Sequence, residues 1–262
     1  MPTKIHPALI GFTVLVFLFL VGPLVIVFGA AISDTTYLTF PPQGISFRWF
    51  ENIFAIDAFR RTILTSLQVA FIATFLALLI GIPAAYALNR HRVQLPAWLS
   101  TLFVLPVLVP ELVLAFSLLK NLAFQFNAPI YLSLVIGHTI LILPYVIRVI
   151  SASLASFDFS IEEAAISLGS PPLKTFFTVL LPNVRSGVIA AFILAFITVI
   201  NDVSISIFLT GPGLSTLPIQ LLAHMEQFFD PTVASVSVLL MVLTVAVMAI
   251  VERTLGLTFL AK

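Results

Sequence analysis

The stretch Ser160-Ile161-Glu162-Glu163-Ala164-Ala165-Ile166-Ser167-Leu168-Gly169-Ser170-Pro171-Pro172-Leu173-Lys174-Thr175-Phe176-Phe177-Thr178-Val179-Leu180-Leu181-Pro182 decides how the chain is read. Its first four residues have the pattern of a capping box. The Ser160 hydroxyl can accept from the Glu163 amide, and the Glu163 carboxylate can reach back to the Ser160 amide. Glu162 and Glu163 also fall in a first helical turn, where the helix dipole favours negative charge. Ala164 and Ala165 give a smooth face of small residues. Gly169 is free to take positive φ and ends the helix. Pro171-Pro172 then starts a second short helix that ends near Leu181-Pro182. The expected form is a helix, a glycine corner and a second helix, in a segment whose first half is too polar to span a bilayer.

Outward from this segment the chain is apolar. Of 262 residues, 60% are hydrophobic and only 9% charged, and the mean hydropathy is +1.18. A soluble globular protein carries roughly 25% charged residues. There are too few charges here to coat a water-facing surface, and there is no cysteine. A soluble enzyme, a disordered chain and a disulfide-stapled secreted domain are excluded. Six runs, at residues 8–32, 63–88, 98–119, 130–150, 184–209 and 233–251, are long enough for spanning helices, which need about 20 mostly apolar residues. None alternates in the manner of a barrel strand. The first run, at about 25 residues, exceeds the roughly 7–15 of a signal-peptide core and reads as a retained span. Pro23, Pro83, Pro106, Pro110 and Pro144 should bend their spans locally. The reading is an all-α integral membrane protein with a single transmembrane domain over residues 1–262 and one long polar loop at 151–183.

Basic residues orient the spans. With the N-terminus inside, the cytoplasmic pieces hold Lys4, Arg90, Arg92, Arg148, Lys174, Arg185, Arg253 and Lys262, eight of the twelve Lys+Arg. The external pieces hold the other four, Arg48, Arg60, Arg61 and Lys120. Both termini and loop 151–183 are therefore expected in the cytoplasm. Ser46-Phe47-Arg48-Trp49-Phe50-Glu51-Asn52-Ile53-Phe54 reads as an amphipathic segment at the outer interface. A short helix is expected at 218–228, after Gly211-Pro212-Gly213.

The loop also carries a longer pattern: Glu163-Ala164-Ala165, three residues, Gly169, nine residues, then Val179-Leu180-Leu181-Pro182. This resembles the EAA motif of ABC-importer permeases, with Val in place of Ile. From about Arg60 onward the chain is similar to the second permease subunit of spermidine/putrescine importers, in Pro110-Glu111, Asn201-Asp202-Val203, Gly211-Pro212 and Thr216-Leu217-Pro218. The resemblance implies a type I importer permease fold of six transmembrane helices with a cytoplasmic coupling helix in a bacterial inner membrane. It implies Glu162, Glu163, Ala164, Ala165, Gly169, Leu181 and Pro182 as the surface that couples to a cytoplasmic ATPase. The expected partners are a second, different permease chain, two ATPase subunits, a periplasmic binding protein and membrane lipid, and no nucleic acid. ATP and Mg would sit on the ATPase, leaving this chain without cofactor or catalysis of its own.

Two acids fall well inside spans. Glu111 lies about 20 Å along the third span and Asp202 about 27 Å along the fifth, at 1.5 Å per helical residue. A carboxylate at such depth costs on the order of 2.5–3.5 kcal/mol unless paired or hydrated. No Lys or Arg stands at matching depth, so neither acid has an evident ion-pair partner. Glu111, Asp202 and the neighbouring Asn201 are candidate pathway residues for a cationic solute such as a polyamine or small amino compound. The other reading is that each acid is protonated or caps a helix broken at Pro110 or Asn201. His138 reads as a buried structural histidine. Phosphate-loop and nucleophile-elbow patterns are absent, and His6, His91, His138 and His224 lie too far apart for a metal motif. Permeases for iron, phosphonates or amino acids share the architecture. An ATP-independent channel or secondary transporter would fit the acids but not the loop.

Overall fold

The computed structural model describes residues 7–90, 98 and 108–255. Among these every regular element is helical, apart from one isolated bridge between Gly211 and Leu214. Four helices are long and apolar enough to cross a membrane: Ala8–Ala31, Asp57–Arg90, Ile130–Leu154 and Thr232–Val251. A fifth candidate is a bent pair, Pro172–Asn183 with Arg185–Ile200, which turn by 74° at their junction. Of the span expected at 98–119, residues 99–107 lie outside the described residues, and its second half contains the helix Glu111–Leu118.

The described residues cluster into two compact units. The first comprises Met1–Arg61 and Gln220–Leu243. It contains α1 (Pro7–Ala31), α2 (Arg48–Ala55) and the starts of α3 (Asp57–Arg90) and α12 (Thr232–Leu255). Small residues pack its centre, with Ala30 and Ala31 against Ala234 and Val238 and Phe50 closing over them. The Ser235 hydroxyl donates to the Ala31 carbonyl at 3.1 Å, satisfying a buried polar group inside this apolar contact. The amphipathic segment forms α2, anchored by Trp49 Nε1 on the Ser33 carbonyl and by an Arg48–Asp34 ion pair. Elsewhere α1 presents bare hydrocarbon, with Phe19 77% exposed.

The second unit comprises Thr62–Ile219 and Thr244–Lys262. After residue 90 its elements are α4 (Glu111–Leu118), a π-helical stretch Leu119–Gln125, α5 (Ile130–Leu154), α6 (Ser160–Ser167) and α7 (Pro172–Thr175). A second π-helical stretch, Phe176–Leu180, leads to α8 (Leu181–Asn183), α9 (Arg185–Ile200), α10 (Ser204–Leu209) and the start of α11 (Leu217–Gln227). The helix expected at 218–228 is this α11. Its Leu217 amide donates to the buried Ser66 hydroxyl at 2.7 Å. α5 packs along α9, and α10 packs on α4 and α5. The core runs through Leu134, Ile142, Val146 and Ile150 of α5, Ile189, Ala195 and Phe196 of α9, and Ala70, Ala73 and Ala77 of α3. Gly137 lets α5 meet α10: a Cβ there would lie 2.7 Å from a Leu209 methyl. Small residues at helix contacts allow such close approach in membranes.

The expected fifth span at 184–209 is not one helix. α9 stops at Ile200 and α10 starts at Ser204. The apolar character continues across the break, so hydropathy alone reads through it. The cause is local: Asn201 and Asp202 bind backbone groups with their side chains, which competes with helix continuation.

Candidate functional site

Loop 151–183 folds as a helical corner. α6 is not opened by the expected Ser160–Glu163 capping box. Asp158 does the work instead, its Oδ1 accepting from the Ser160 amide at 2.9 Å. The Glu163 amide donates to the Phe159 carbonyl, and the Glu163 carboxylate turns to Arg90. The bond from the Ser160 amide holds the Asp158 carboxyl below the ordinary carboxylate range. An aspartate can reach an amide two residues on, and Asp158 stands two residues ahead of the serine pattern.

The far end of α6 behaves as its glycine suggests. Gly169 has φ +93°, its amide donates to the Ile166 carbonyl at 2.9 Å, and the Ser170 amide donates to the Ala165 carbonyl at 3.1 Å. These are the paired bonds of a Schellman motif. A Cβ at Gly169 would meet nothing, so the backbone conformation alone selects glycine. Pro171 and Pro172 then start α7, and the second arm runs through Leu181 and Pro182 to Asn183. Leu168, at 89% exposure, and Leu173, at 73%, stand bare on either side of the corner, with Ile161, Ile166 and Phe177 exposed nearby.

The two glutamates of the loop part company. Glu163 is exposed; Glu162 is buried at 2% exposure. The Tyr86 hydroxyl donates to Glu162 Oε1, and Arg90 Nε lies 3.4 Å from Glu162 Oε2. The same guanidinium donates from Nη2 to Glu163 Oε1 at 2.9 Å. Ala164 is exposed and Ala165 half-buried, while Leu181 is half-buried and Pro182 exposed. Tyr86 and Arg90 were not singled out from sequence. Their spacing of four residues at the end of α3 puts them on one helix face and was the available signal.

The second feature is the break between α9 and α10. Asn201 is exposed and its side-chain amide donates to the Ile197 carbonyl at 2.9 Å, closing the last turn of α9. Asp202 Oδ2 accepts from the amides of Ile205 at 2.9 Å and Ser206 at 3.0 Å, covering the first turn of α10. The same oxygen lies 3.2 Å from His138 Nε2. His138 is fully buried, and its Nδ1 sits 2.8 Å from the Leu134 carbonyl. A carbonyl only accepts, so Nδ1 carries a proton. Nε2 thus faces Asp202 Oδ2 and also lies 3.4 Å from the Ser206 hydroxyl. The sequence offered no basic partner for Asp202; its partner is a histidine 64 residues away in α5. Glu111 is the first residue of α4, behind Pro110, and is exposed.

Apolar helices long enough to span a bilayer, one candidate span broken at a buried acid, and a structured polar loop are the features of a polytopic membrane protein. Residues 77–255 match the family model described as "Binding-protein-dependent transport system inner membrane component". The chain belongs to that family, as an ABC-importer permease of the bacterial membrane. It is 30% identical over 247 residues to the putrescine transport system permease protein PotI of Escherichia coli strain K12, covering 92% of this chain and 86% of that one. It is 27% identical over 249 residues to the spermidine/putrescine transport system permease protein PotC of the same strain, covering 94% and 92%. A crystal structure of a bacterial ABC transporter that imports the acidic polysaccharide alginate contains a chain superposing with a TM-score of 0.72 at 16% identity, over 97% of this chain and 99% of that one. That likeness supports the fold alone.

Proposed function

We propose that the chain is a six-span subunit forming half of the pathway of an ATP-driven importer, with both termini and loop 151–183 in the cytoplasm. The loop docks on an ATPase subunit. A second, different permease supplies the other half of the pathway, and a periplasmic binding protein delivers the solute. The carrying observation is the glycine corner, which holds Leu168 and Leu173 bare at the tip of a polar loop. Exposed apolar side chains on a polar loop suit an interaction surface, and the basic-residue bias favours the cytoplasmic side for this loop. Glu163 and Ala164 flank the same tip.

The solute in this reading is a polyamine or another small amino compound. Its support is the pair of polyamine-transporter relatives, together with exposed Glu111 at the head of α4. Glu111 and Asn201 line the pathway, and Asp202 shapes it by holding the helix break. Purified with its partners in liposomes, the transporter should hydrolyse ATP when loaded binding protein is added and accumulate labelled putrescine. Leu168→Asp should abolish that stimulation while the subunit stays in the membrane. Full stimulation in Leu168→Asp would overturn the docking surface. Uptake that survives removal of the ATPase would overturn the ATP-driven reading altogether.

A further inference from the structure

We propose that Tyr86 and Arg90 form a joint that fastens the loop to α3, so that loop and helix move as one body when the ATPase drives the loop; this rests on the coupling role proposed above. The sequence assigned Glu162 to the ATPase surface together with Glu163. The geometry points inward instead, because Glu162 is buried and its contacts are made within the chain.

The joint grips both arms of the corner. On the first arm it holds Glu162 through the Tyr86 hydroxyl and the Arg90 charge, and Glu163 through a 2.9 Å bond from Arg90. The guanidinium also lies 5.5 Å over the Phe159 ring, one residue ahead of α6. On the second arm the Tyr86 ring meets Phe176 edge-on with centroids 5.3 Å apart. Gly169, between the arms, is a point of backbone freedom. A driven loop could fold about it and spend its movement there. With both arms clamped to two residues of one helical turn, that hinge is braced and displacement passes into α3.

The pairing is not a surface ion pair of small worth. The Glu162 side chain is 3% exposed and the Arg90 side chain 28%. Water therefore competes little for the carboxylate, and among the described residues Arg90 is the cation that pairs with it. Glu162 Oε2 accepts no hydrogen bond in this arrangement and meets Arg90 only as a charge. From Arg90, α3 runs as one continuous helix back through residues 62–90, with Ala70, Ala73 and Ala77 buried in the core of its unit. Arg90 and Tyr86 are thus positioning residues for transport, acting through the loop rather than touching solute or ATP.

The test uses the whole transporter and exploits the absence of native cysteine. The double variant Tyr86→Cys/Glu162→Cys removes the Tyr86–Glu162 bond, the Arg90–Glu162 pair and the Tyr86–Phe176 contact, and uptake per ATP hydrolysed should fall at least about fivefold, the lower end of typical coupling between distant sites. Bridging the two thiols with a short bifunctional reagent should restore most of the lost uptake per ATP. Normal coupling in the unbridged variant overturns the proposal, and so does a bridge that leaves coupling lost, because then the contact has to open during the cycle. A second variant, Arg90→Ala/Glu162→Gln, removes both charges together and leaves no buried orphan ion. It should reproduce the loss of coupling at normal complex yield; normal uptake per ATP in it would remove Arg90 from the joint. Co-purification of the ATPase with the unaltered chain is measured alongside. Its failure would sink the coupling reading itself, whereas docking retained with coupling lost supports the joint.

Discussion

Glu162 at the loop and Asp202 at the helix break are both buried carboxylates, and they are stabilised by different chemistry. Glu162 takes a tyrosine hydroxyl and a permanent cation, Arg90. Asp202 takes two backbone amides and a buried histidine whose Nε2 lies 3.2 Å from its Oδ2. The first arrangement sets the carboxyl beside a permanent cation, at the end of a long helix near the polar loop. The second surrounds the carboxyl with backbone amides and an imidazole within an otherwise apolar core, where an unpartnered polar group is costly. The contrast teaches that an acid in a span need not be a solute contact. Asp202 holds the break through the Ile205 and Ser206 amides, and exposed Glu111 is the acid proposed above to meet the solute.

Arg90→Ala should break the first arrangement with the largest effect. It leaves Glu162 buried without its cation, at a cost of about 3–5 kcal/mol, and Glu162→Gln in the same chain should recover most of it. Thermal midpoint and yield of the complex in detergent measure both. At the helix break, His138→Ala strips Asp202 of its imidazole partner and should cost about 1–3 kcal/mol. Asp202→Asn keeps an oxygen for the Ile205 and Ser206 amides, so it should lower complex stability yet leave uptake per assembled complex unchanged. Glu111→Gln should do the opposite, leaving yield normal while cation uptake falls about tenfold or more, as a charge-assisted contact worth roughly 1.5–3 kcal/mol is lost. If uptake per complex falls in Asp202→Asn and not in Glu111→Gln, the two acids have to exchange roles.

The smallest effect belongs to Asp158, the exposed carboxylate that opens α6. Its pKa is depressed in the folded state by the Ser160 amide. A depressed carboxyl stabilises the fold above its unfolded pKa, and that contribution fades as pH falls through the folded value. The thermal midpoints of the native chain and Asp158→Asn should therefore differ slightly at neutral pH and converge in strong acid. A gap that widens on acidification would contradict the sign.

The parts legible in the sequence were those set by bulk hydropathy and by backbone freedom. Continuous apolar runs located α1, α3, α5 and α12, because a spanning helix needs little beyond length and hydrocarbon. Gly169 was legible because a positive φ has few alternatives. The break at Asn201 was hidden by the apolar residues on either side of it. It depends on which side-chain oxygens meet which amides, and on His138 arriving from another helix. The capping of α6 was misassigned because a serine with a glutamate three residues on fits one motif, while an aspartate two residues earlier reached the same amide first. Glu162 and Glu163 are neighbours in a string, and only packing separates the inward one from the outward one.

The 74° turn where the loop's second arm meets α9 has a purely mechanical consequence. α9 has 16 residues, about 24 Å of stiff rod at 1.5 Å per residue, with the loop at one end and Asn201 at the other. A crank of this form converts rotation into sideways travel at its tip. Tilting the rod by about 5° carries the Asn201 end roughly 2 Å sideways, by the sine of the angle over that length. In the pathway proposed above, a stroke of a few degrees at the loop would then be enough to change what fits past the break.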